Sequence, residues 1–100
     1  MEVDVVRGLK AIDELKVELL KSLWIFERGA IEGSDTALMQ GLADIVGISY
    51  LLTRRLGFDY TRLDRTLIQG LVEWKDNDTM KLESQWGDLS LLLSYLAPEE

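Results

Sequence analysis

Cysteine and histidine are both absent from this 100-residue sequence. Without cysteine there are no disulfides, no thiolate metal sites and no cysteine nucleophile. Without histidine, the commonest general base and the commonest transition-metal ligand are gone. Any chemistry must rest on carboxylates, hydroxyls, Lys, Arg, Tyr or a bound cation. Basic residues are also scarce: 11 Lys and Arg stand against 18 Asp and Glu, a net charge of −7. Duplex DNA or RNA and anionic membrane surfaces are therefore poor partners, because they call for clustered cations. No uninterrupted apolar run approaches the roughly 20 residues of a membrane span, and "MEVDVVRGLK" lacks the pattern of a secretory signal. The expectation is a cytoplasmic protein with no membrane partner. Proline occurs once, as Pro98, so nothing interrupts long helices before the last residues.

Apolar residues make up 47% of the chain, and they recur with helical period. Val5, Leu9, Ile12, Leu15, Leu19, Leu23 and Phe26 form one stripe, widened by Leu20, Trp24 and Ile31. This predicts a first helix over residues 3–30, ended by Gly33 and followed by a cap at Ser34 or Asp35. A second helix over 35–56 carries Leu38, Leu42, Ile45, Leu52 and Leu56, with Ser49 in the missing step and Gly57 as its stop. Asp59 caps a third helix reaching Trp74, and "KDND" at 75–78 reads as a turn. A fourth helix spans 79–96. Short connections favour antiparallel neighbours, so the expected fold is all-α: one domain over residues 1–100, a four-helix bundle completed by oligomerisation.

Several acids sit where chemistry is possible. Glu14 and Glu18 are one turn apart on the first helix. Asp44 lies within the most apolar helix, beside Gln40, Gly41, Gly47 and Ile48. If the first two helices pair antiparallel, these three carboxylates can converge into a hard oxygen site for Mg²⁺ or Mn²⁺. The competing reading leaves Glu14 and Glu18 solvated beside Lys10, Lys16 and Lys21, and pairs Asp44 with an Arg, Tyr50 or Ser49. Arg54, Arg55, Arg62 and Arg65 flank the Gly57–Asp59 turn and can hold a triphosphate, or simply suit a helix end. Gln85 and Asp88 form a possible second polar site, echoing the surroundings of Asp44. Trp24, Trp74 and Trp86 lie on apolar stripes and are read as core or subunit interface.

At "LADIVGISYLLTRRLGFD" the sequence resembles the MazG family of all-α nucleoside triphosphate pyrophosphohydrolases, which typically read "ELADVL…LLxLARRLGID" here. The likeness extends loosely over "DELKVELLKSL" and "KLESQWGDLSLLLSYL". It implies a helical homodimer or tetramer and Mg²⁺-dependent cleavage of a nucleotide to its monophosphate and pyrophosphate. It implies metal ligands at Glu14, Glu18 and Asp44, and an active protein of this kind would use Arg54 or Arg55 from the basic set above to steady phosphate. The family's metal motif is Glu-Glu-x-x-Glu followed by Glu-x-x-Asp. This chain departs from it at Leu15 and Gly41, and Gln85 replaces the Glu of the echo before Asp88. The rival reading is a non-catalytic helical module that oligomerises or docks a partner.

Overall fold

Two residues, Gly33 and Ser34, set the first half of the fold. The computed structural model describes residues 2–98, with side chains from residue 7 onward; Val5 of the expected stripe falls outside those side chains. Helix α1, Glu2–Glu32, stops where Gly33 takes a left-handed φ of +69°. The Ser34 N–H donates to Gly29 O at 2.9 Å, and Ser34 Oγ accepts from Ala37 N at 3.2 Å. That cap opens α2, Asp35–Arg55. A Cβ built on Gly29 would meet Ala37 Cβ and Leu38 N, each at 2.9 Å, while one on Gly41 would meet Phe26 and Ser22. Residue numbers therefore fall along α1 as they rise along α2, and the helices are antiparallel. Small residues form the seam. Buried Ser22 donates its hydroxyl to Glu18 O at 2.8 Å, and buried Thr53 donates to Ser49 O at 2.8 Å. Ser49 itself bonds back to Ile45 O at 2.7 Å. At the far end Gly57 N–H donates to Arg54 O and Phe58 N–H to Thr53 O, the paired bonds of a left-handed helix stop. The Tyr50 and Tyr60 rings meet edge to face, 5.7 Å apart.

The chain divides into two compact units, residues 1–60 and 61–100. The second contains nearly all of α3, Tyr60–Asn77, then α4, Leu82–Trp86, and α5, Asp88–Leu96. The expected turn at 75–78 is shorter than the polar run suggests. Lys75, Asp76 and Asn77 stay helical, and the chain leaves the helix only at Asp78, where φ is +46°. The expected fourth helix is two helices. Gly87, at φ +68°, breaks it between Trp86 and Asp88. Carboxylates make these short pieces stable. Asp78 accepts from the N–H groups of Glu83 and Ser84 at 2.9 and 3.0 Å, capping α4. Glu83 accepts from the Ser90 N–H at 2.9 Å and from its hydroxyl, capping α5. Leu71 and Leu89 are the buried apolar side chains of this unit.

No strand occurs among the described residues, so the all-α expectation holds. α2 adds a feature that counting uninterrupted apolar runs misses. By length and composition it is apolar enough to cross a membrane, with a mean hydropathy of 1.3 over its most apolar 18-residue window. Asp44 cuts the run without lowering that average much. Central helices of helical assemblies have the same composition.

Candidate functional site

Glu14 and Glu18 lie on one face of α1, as their spacing requires. With Lys10, Asp13 and Val17 they line a shallow depression of about 360 Å³. Neither acid is alone: Glu14 is 3.9 Å from Lys10 Nζ, and Glu18 is 3.3 Å from Lys21 Nζ. Both pairs are exposed, so each contributes little to stability. Asp44 is half-buried rather than enclosed. Its carboxylate accepts from Gln40 Nε2 at 2.8 Å, a partner one turn earlier on its own helix. Of the expected partners, Ser49 gives its hydroxyl to Ile45 O, and the Tyr50 ring meets Tyr60 edge to face.

The antiparallel pair forms, yet it does not bring the three acids together. Among the described residues no group of three or more carboxylates is placed to hold a metal ion. Gly41 adds no fourth acid and leaves no room for one. A Cβ there would stand 2.9 Å from Phe26 N, 3.0 Å from Phe26 Cβ and 3.0 Å from Ser22 O. Two of those contacts are with backbone, which cannot move aside as a flexible side chain can. The position that the metal motif gives to a glutamate is thus filled by the neighbouring helix. Leu15, at the other departure, is a half-buried apolar residue. The donor set within one chain does not fit a hard divalent cation, which needs several converging oxygens.

The basic candidates are separate from these acids in kind. Arg54 and Arg55 are exposed in the last turn of α2, where cations complement the helix dipole. Arg62 and Arg65, with Thr66 and Gln69, line a polar depression of about 290 Å³ along α3. Gln85 is exposed on α4 and Asp88 is exposed at the first residue of α5, where an acid favours the dipole. The tryptophans are not core residues of the single chain. Trp24, Trp74 and Trp86 are 62%, 55% and 67% exposed.

The residues that the sequence reading passed over are Asp78 and Glu83. The Ser84 hydroxyl, then the Glu83 and Ser84 N–H groups and the Lys81 charge, hold the Asp78 carboxyl below its usual range. The Ser90 hydroxyl and N–H, with Lys75, do the same for Glu83. Their signal was present: each acid stands a few residues before a helix start, but only if α4 and α5 are separate helices. Beside them is a cavity of about 350 Å³ between the end of α3, the following connection, α4 and α5.

No curated protein and no solved structure matches this chain. The family model described as the MazG-like family matches residues 5–89, running across both units. The helical class, the antiparallel α1–α2 pair and that match agree, and the chain belongs to the MazG-like family.

Proposed function

We propose that this protein is a non-hydrolysing member of the nucleoside triphosphate pyrophosphohydrolase superfamily, working as a self-associating helical module. The observation that carries this reading is the contact of Gly41 with Ser22 and Phe26. It removes one acid and the space for it in the same place. The remaining acids are engaged by Lys10, Lys21 and Gln40. A cytoplasmic setting accompanies this reading.

Self-association is supported by what the chain leaves uncovered. Val17, Leu20, Trp24 and Ile31 recur at steps of three, four and seven on α1, all more than half exposed. That spacing is a helix-packing seam, distinct from the Ser22, Phe26 and Gly29 face that meets α2. A homodimer or homotetramer is the expected species.

The second reading is a Mg²⁺- or Mn²⁺-dependent hydrolase in which another copy completes the acid set. Glu14 and Glu18 on one accessible depression favour it. Thermal melting with and without millimolar Mg²⁺ or Mn²⁺ separates the two, since a specific site raises the midpoint by mass action. The non-hydrolysing reading expects no shift and no pyrophosphate release from a nucleotide panel. A shift together with release that Asp44→Asn abolishes would establish the hydrolase instead.

A further inference from the structure

The cavity of residues 61–98 is used neither by the acids of α1 and α2 nor by the α1 seam. Its volume, about 350 Å³, falls within the range of pockets that hold small organic molecules. Trp74 and Asn77 from α3, Asp78 and Met80 from the connection, Leu82 from α4 and Leu89 from α5 form its walls. Leu89 makes a buried floor, while Trp74 and Met80 are more than half exposed. The connection is held in an unusual backbone form. Asp78 and Lys81 both sit in the left-handed region, at φ +46° and +62°. Strain at non-glycine residues gathers at ligand-binding positions.

The electrostatics select the ligand class. The two Asp78 oxygens each accept one backbone N–H, and the Ser84 hydroxyl also bonds the carboxylate, which fixes this negative charge in the cavity wall. Over residues 74–89, Asp76, Asp78, Glu83 and Asp88 outnumber Lys75 and Lys81. An anion entering here meets excess negative charge, and the net charge of −7 repels it from a distance. A cation gains from both, and from Trp74 in the wall, since indole is the strongest aromatic partner for cations. The chain already makes such a pair elsewhere: the Arg28 guanidinium lies 5.6 Å from the Trp24 ring centre.

We propose that this cavity binds a small organic cation, its ammonium or amidinium group at Asp78 and its apolar body against Trp74, Met80 and Leu89. Asn77 supplies an amide to orient the ligand. The proposal does not depend on whether the protein hydrolyses nucleotides.

The test is an NMR titration of the full chain with benzamidine and with its neutral counterpart benzamide. Saturable shifts at Trp74, Met80 and Leu89 are expected with benzamidine, and binding of benzamide at least tenfold weaker. Added salt is expected to weaken benzamidine alone. Trp74→Leu, at an exposed position, is expected to keep the helical spectrum and lose at least fivefold in affinity. Asp78→Asn is expected to erase the preference for the cation. Should that variant unfold, the salt dependence of the unaltered protein decides the same point. Absence of saturable shifts with benzamidine, equal affinity for benzamide, or shifts that map away from Trp74 would each overturn the proposal.

Discussion

Gly41 and Gly47 are glycines of the same helix six residues apart, and they have opposite meanings. Around Gly41 a methyl group would press on the Phe26 and Ser22 backbone, whereas around Gly47 there is open space. Gly41→Ala is therefore expected to lower the unfolding free energy by about 1–3 kcal/mol, the usual cost of overpacking. Gly47→Ala is expected to raise it by about 0.5–1 kcal/mol, because alanine loses less backbone freedom in a helix. Urea unfolding followed by circular dichroism measures both; equal effects would mean that the seam is not closed at Gly41. Gly41→Glu, which restores the family's acid in sequence, is expected to disrupt the hairpin and bring no metal-dependent rise in melting temperature. The missing glutamate at position 41 could be read from the sequence. The closed space could not, because it depends on which α1 residues face Gly41. Asp44 shows a related limit: an apolar neighbourhood in sequence does not by itself enclose an acid, and Leu42, Ala43 and Val46 beside it are exposed.

Helix boundaries in the first unit were legible because each is set by a local backbone demand. Gly33 and Gly57 take left-handed angles, and Ser34 supplies the capping oxygen. The second unit was less legible, since its breaks are enforced by carboxylates acting over five to seven residues. Gly87 was the one local sign, and it was absorbed into an apparently continuous apolar stripe. This capping chain has a pH consequence. The folded-state pKa values of Asp78 and Glu83 are both depressed. Their stabilisation is thus fully present above the ordinary carboxylate range, about 4, and is lost as pH falls through the lower folded values. Melting temperature is expected to drop on acidification below about pH 4, with Glu83→Gln less sensitive over that window. An identical pH profile for the variant would show that the Ser90 cap contributes nothing. Lys81 offers the converse test. It takes a left-handed angle that costs a non-glycine residue about 1 kcal/mol, so Lys81→Gly is expected to raise stability by about that amount in the same urea experiment.

For the molecule as a whole, the α1 seam makes association and folding separable. Leu20 is 70% exposed in the single chain, so Leu20→Glu should change monomer stability by no more than about 0.5 kcal/mol. If Leu20 is covered by a second copy, the same change forfeits the burial of a leucine, about 1.5–3 kcal/mol. Per altered copy that corresponds to roughly 10- to 100-fold weaker association, before the cost of burying an unpaired charge is added. Sedimentation equilibrium over a wide concentration range is therefore expected to show a dimer or tetramer of the 11.4 kDa chain, and a shift towards monomer for Leu20→Glu. The melting temperature of the unaltered protein should rise with concentration, because association stabilises only the folded chain. A protein that sediments as monomer throughout, or a Leu20→Glu variant that associates as before, would remove this face from the interface. Trp24, one turn along the same seam, adds an independent readout. Its fluorescence is expected to shift to shorter wavelength on association and to stay red-shifted in Leu20→Glu, as an indole left in water does.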